Sequence, residues 1–79
     1  MIVSTTNRSS LWLTDTRYYF LHVQRDLFGE WELLKVWGGR RSRRGRHQVV
    51  CVAREDQALG LFERECQRRI RRGYLRTAG

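Results

Sequence analysis

Two strand-like runs joined by one tight turn limit what this chain can fold into. Arg17–Arg25 (RYYFLHVQR) is aromatic and β-branched with a repeat of two. Glu30–Trp37 (EWELLKVW) has the same character. Between them lies Asp26-Leu27-Phe28-Gly29, where Gly29 is free to take positive φ. So short a connection permits only antiparallel pairing. The first run places Tyr19, Leu21 and Val23 on one face and Tyr18, Phe20, His22 and Gln24 on the other, more polar one. Trp31, Leu33, Lys35 and Trp37 share one face of the second.

One amphipathic helix is available to cover such a sheet. Glu55 and Asp56 open it, and Arg68, Arg69, Arg71 and Arg72 close it, both to the advantage of the helix dipole. Gly73 is placed to stop it. At about 100° per residue, Ala58, Leu59, Phe62, Cys66 and Ile70 form an apolar stripe. Arg69 falls inside the stripe and is expected to snorkel outward; Arg64, Arg68 and Arg71 lie opposite. Leu11-Trp12-Leu13 and Gln48–Arg54 (QVVCVAR) supply further short strands, the second too uniformly apolar to show which face is buried. The expected fold is α+β, an antiparallel sheet of about four strands with one C-terminal helix across one face. Residues 1–10 read as a flexible arm, 11–76 as a single domain and 77–79 as a tail.

Composition narrows the function. With 41% hydrophobic residues among 79, the chain is too apolar to be a disordered tail. No apolar run approaches the roughly 18 residues of a membrane span. The N-terminus lacks the basic and apolar regions of a secretory signal, so the cytoplasm is the expected location. Cys51 and Cys66 stand apart and read as two reduced, buried side chains. His22 and His47 have no metal-ligand spacing, and the eight acidic residues are scattered. WGGRRSRRG matches no nucleotide-phosphate fingerprint. These observations argue against an enzyme, a metal site or a cofactor.

Charge points elsewhere. Sixteen basic residues, all arginine except Lys35, oppose eight acidic ones for a net charge of +8. Residues 1–39 are neutral overall, and residues 40–79 carry the whole excess. One-sided placement suits a polyanion, most simply nucleic acid. Residues 37–48 (WGGRRSRRGRHQ) read as a solvated loop with Trp37 at its lip. A planar ring beside Arg40, Arg41, Arg43, Arg44 and Arg46 can stack on a base or sugar while the arginines hold phosphate. Gly38 and Gly39 would let backbone N–H groups approach an anion. Arg64, Arg68 and Arg71 would add a second basic face. The rival is a protein-interaction adaptor that uses Tyr18, Phe20 and His22, with arginines serving solubility. An anionic membrane surface is the weaker choice, because the helix has no aromatic flanking its arginines.

RYYFLHVQRDLFGEWELLKVWGGR, an Arg/Gly stretch and QALGLFERECQRRIRRGY together resemble a WGR domain, from about Arg17 to Tyr74. The marks are Tyr18-Tyr19, the Asp26–Gly29 turn, Trp37-Gly38, Ala58, Phe62 and Gly73-Tyr74. Such domains occur in DNA-dependent poly(ADP-ribose) polymerases and as short stand-alone bacterial proteins. The resemblance implies binding to DNA ahead of RNA, at ends, nicks or single-stranded regions; the chain is expected to be a non-catalytic monomer. It implies that the motif tryptophan packs on a terminal sugar, assisted by the motif arginine. Trp37 and Gly38 match the motif; Gly39 replaces its arginine, and Arg40 follows one residue later. A one-residue shift on a strand reverses the face, so Arg40 can substitute only if the chain has left the strand there.

Overall fold

The computed structural model describes residues 8–78. Chain order is β1 (Arg8–Leu13), β2 (Arg17–Arg25), β3 (Trp31–Gly39), β4 (Gly45–Val52), α1 (Glu55–Arg71) and β5 (Leu75–Ala78). The strands form one antiparallel sheet in the order β4-β3-β2-β1-β5. Because β4 and β5 occupy opposite edges, the segment joining them must cross the sheet. That segment is α1, and the crossing places it over one face.

The β2–β3 turn forms as its residues suggest. Asp26 Oδ1 accepts the N–H groups of Phe28 at 2.8 Å and Glu30 at 2.9 Å, and Gly29 takes φ +80°. At the start of α1, Gln57 Oε1 accepts the N–H groups of Ala53 and Arg54. At its end, Gly73 adopts φ +85°. The Tyr74 N–H then returns to Arg69 O, and the Gly73 N–H to Ile70 O, each at 3.0 Å. This is the two-bond Schellman arrangement that satisfies the last carbonyls of a helix.

The core lies between α1 and its side of the sheet. Trp12, Leu21, Val23 and Leu33 meet Ala58, Phe62 and Cys66. Ser10 is also buried: its Oγ accepts the Trp12 indole N–H at 2.9 Å and lies 3.8 Å from Cys66 Sγ. Burial raises the Cys66 thiol pKa, which keeps it protonated.

The expected antiparallel sheet with one helix across one face is the fold that forms; its strands number five, since residues 75–78 pair with β1, and that partner lies more than sixty residues away, beyond any local pattern. Four expectations need correction. Strand β1 begins at Arg8, so residues 8–10 belong to the sheet and not to an arm. Residues 1–7 of that arm lie outside the described residues, as does residue 79 of the expected tail. Cys51 is exposed rather than buried, because pairing of Leu33 with Val50 and Trp31 with Val52 turns Cys51 to the other face. Residues 37–39 and 45–48 are strand, which leaves only residues 40–44 as the arginine-rich connection.

The fourth correction concerns the helix stripe. Ile70 is 53% exposed, whereas Arg69 is 5% exposed. The Arg69 guanidinium carbon sits 3.9 Å from the centroid of the Tyr19 ring and 4.9 Å from that of Tyr74. The rings accept an ion that could not be buried bare. Tyr74 reaches it only because Gly73 reverses the chain.

Two stability outcomes follow. Phe62→Ala, at the centre of the core, is expected to cost about 3–5 kcal/mol in denaturant unfolding. Arg69→Lys keeps the charge but not the flat surface, and is expected to cost about 1–2 kcal/mol. An unchanged midpoint would contradict the stacking role.

Candidate nucleic-acid interface

The last turn of α1 leads to the site through aromatic contacts. Counting back six residues from Arg25 and forward six from Trp31 along the hairpin brings Tyr19 opposite Trp37. Their rings stack with centroids 5.6 Å apart and planes 11° apart. Arg69 lies on Tyr19, so Trp37 is braced from behind by a helix-anchored ring. Burial first, and Glu65 second, raise the Tyr19 phenol pKa, so the ring stays neutral. Trp37 is half-buried: it packs against Tyr19 and also lines a broad, open cleft.

That cleft, about 990 Å³, is lined by Thr16, Arg17, Gly39, Arg43, Arg44 and Arg46 as well as by Trp37, Gly38 and Gly45. This volume is in the range of small-ligand sites. Four arginines line it and no carboxylate does. Arg46 stands opposite Trp37 on β4, and Arg17 opposite Gly39 on β2. Among the described residues, none of the four makes an ion pair. Arg8, Arg54 and Arg68, in contrast, pair with Glu63, Asp56 and Glu65. Glu65, below the sheet face that carries Trp37, is taken up by Lys35 at 3.0 Å and Arg68 at 3.3 Å. It therefore offsets little of the cleft's charge. Water-exposed guanidinium groups without acidic partners can exchange their hydration for phosphate oxygens at low cost.

The structure divides the expected site residues into four groups. Trp37, Gly38, Gly39, Arg43, Arg44 and Arg46 come together in the cleft. Arg40 does not. The chain has left β3 at that point, but Arg40 Nη1 donates to Thr14 O at 2.9 Å, and its N–H to Thr16 O at 2.8 Å. Arg40 thus ties the end of β3 to the β1–β2 turn and faces a separate depression beside Leu75. Arg41 lines a third recess with Asp15 and Ser42. Arg64, Arg68 and Arg71 are exposed on α1 and line none of these hollows. Arg17, Thr16 and Tyr19 are the residues missed from sequence. The signal for two of them was the turn register, which pairs 17 with 39 and 19 with 37.

The glycines do different work. Tyr18 crosses the helix-free face over Gly38 and Gly45, which are paired with each other. A Cβ at Gly45 would lie 2.7 Å from the Tyr18 hydroxyl, and one at Gly38 would lie 3.0 Å from Arg44 O. Small size at these positions makes room for tyrosine. Gly39 is the least crowded of the three: a Cβ there would touch Ser42 Cβ at 3.4 Å and Thr16 O at 3.8 Å.

A braced aromatic ring in an arginine-lined cleft, on a sheet covered by one helix, defines a small basic binding module. The WGR domain family model matches residues 3–79, and the chain belongs to that family. The WGR domain is a binding module known for nucleic-acid binding in proteins of the poly(ADP-ribose) polymerase type. No curated protein and no solved structure matches the chain significantly. Among the described residues, no helix is long and apolar enough to cross a membrane.

The glycine assignments have a thermal test. Gly38→Ala is expected to cost about 1–3 kcal/mol, since its clash includes backbone. The penalty of Gly45→Ala should shrink in a Tyr18→Phe background, which removes the offending hydroxyl. That of Gly38→Ala should largely persist. Equal penalties in both backgrounds would refute the Tyr18 contact.

Proposed function

We propose that this WGR domain binds nucleic acid through the cleft around Trp37. DNA is preferred to RNA, at ends, nicks or single-stranded regions where a sugar or base is exposed. In this reading the chain works as a cytoplasmic monomer without a catalytic centre, metal or cofactor. The observation that supports it most is the set of four acid-free arginines around a ring whose back is already braced. Arginines hold phosphate as charges; the open side of Trp37 stacks on what an interrupted strand exposes. Arg64, Arg68 and Arg71 extend the positive field along α1.

A second reading, contact with another protein, has one observation in its favour. The helix-free face presents Leu11, Phe20, Leu34, Val36 and Val49 where an exposed sheet face ordinarily alternates to polar residues. Phe20 stacks on His22 there at 6.0 Å, and Tyr18 is committed to the glycines.

Salt separates the two readings. With four to six phosphate contacts, log K should fall against log salt with a slope of about −4 to −5 on duplex DNA. Arg43→Ala with Arg44→Ala should weaken all duplexes alike and flatten that slope by about two. Trp37→Ala should cost about 1–3 kcal/mol on ends, nicks or single strands, with the slope unchanged and a closed circle barely affected. The variant must retain its helical signal and thermal transition, because Trp37 also packs on Tyr19. Absence of binding to blunt duplex, nicked duplex, single strand and RNA at 50 mM salt would leave the protein-contact reading.

A further inference from the structure

We propose that Arg17 is the anchoring phosphate ligand of the cleft, acting from β2 in place of a side chain at position 39. The inference rests on the nucleic-acid reading above. Position 39 lies two residues beyond Trp37 on the same face of the same strand. Here it is glycine, where a Cβ would make ordinary contact with Ser42 Cβ at 3.4 Å and Thr16 O at 3.8 Å. Arg17 is the direct cross-strand partner of Gly39, and Tyr19 that of Trp37. Arg17 is therefore the diagonal neighbour of Trp37, at a separation that long side chains span. Guanidinium groups from position 17 or position 39 would reach the same floor of the cleft. A phosphate there would sit next to a sugar stacked on Trp37.

Arg17 and Arg44 both have their backbone N–H tied to a nearby hydroxyl, but of the four cleft arginines only Arg17 stands on an inner strand. Its N–H donates to Thr14 Oγ1 at 3.0 Å, and its carbonyl accepts the Thr14 N–H at 2.9 Å. The same turn is clamped to the end of β3 by both Arg40 bonds, to Thr14 O and Thr16 O. Arg43 and Arg44 ride on the connecting loop, and Arg46 stands on the edge strand β4. An arginine on a clamped inner strand loses less freedom on binding than one on a loop. Arg40 is then a positioning residue for Arg17 rather than a ligand.

The experiment relocates the guanidinium. Wild type, Arg17→Ala, Arg17→Lys and Arg17→Ala with Gly39→Arg are titrated against a short 5′-phosphorylated blunt duplex and a closed circular duplex. Circular dichroism verifies folding. Arg17→Ala is expected to weaken end binding by about ten- to hundredfold, as for loss of a charge-assisted hydrogen-bond pair. Its salt slope should flatten by about one. Adding Gly39→Arg should bring end affinity back to within about threefold of wild type. Should the double variant fail to fold, Arg17→Lys decides: recovery of the slope with part of the affinity supports the proposal, and a value equal to Arg17→Ala overturns it. Equal affinity of wild type and Arg17→Ala, or a folded double variant without recovery, also overturns it. If Trp37→Ala still loses end binding in that case, the nucleic-acid reading stands without Arg17. A wild type that binds no nucleic acid overturns both.

Discussion

The stack of Arg69 on Tyr19 and Tyr74 joins every part of the molecule that matters for the site. It fastens the last turn of α1 to β2, and it closes the helix end through the contact that accompanies its two returning hydrogen bonds. It also backs the ring against which Trp37 lies. A guanidinium suits this position because it is planar and weakly hydrated: its carbon lies 3.9 Å from the Tyr19 centroid and 4.9 Å from that of Tyr74, two rings set 80° apart, so it meets both π systems though it can lie flat on only one. An ammonium would be too strongly hydrated to be held there, and an aliphatic side chain would not match both rings.

The two faces of the sheet have been put to separate uses. Under the helix, an apolar core grades into a half-buried Lys35–Glu65 pair and then into the open arginine cleft. The charge network therefore runs from neutralised to bare toward Trp37. On the helix-free face the side chains are largely apolar, and Tyr18 lies across two paired glycines. The glycines beside Trp37 that look like part of a phosphate loop thus serve mostly a packing role on the reverse side. Gly39 is the least crowded of the three, with Ser42 and Thr16 beside it.

Chain order is a poor guide to where Arg40 and Arg17 lie. Arg40 follows Trp37 closely, yet its guanidinium is spent on a carbonyl of the β1–β2 turn. Arg17 is twenty residues upstream of Trp37, yet lines the same cleft. Proximity in a sheet is set by register, and register here comes from the Asp26–Gly29 turn.

Much of that plan is written locally. The hairpin, its turn, the helix limits and the Gly73 stop each follow from neighbours within a few residues, and the core face of β2 follows from a repeat of two. Phe62, Leu21, Val23 and the arginine excess around Trp37 were legible for the same reason. What needed the folded chain is whatever joins distant segments. Burial of Ser10 and Arg69 depended on partners, Trp12 with Cys66 and the two tyrosines, that no single-residue hydropathy anticipates. Exposure of Cys51 and Ile70, the pairing of β5 with β1 and the diversion of Arg40 to Thr14 are likewise decided across the sheet. Local pattern determined which elements form, because their hydrogen bonds and periodicities are short-range. Tertiary packing decided which side chains meet, because one residue of register or a few tens of degrees of helix rotation changes every contact.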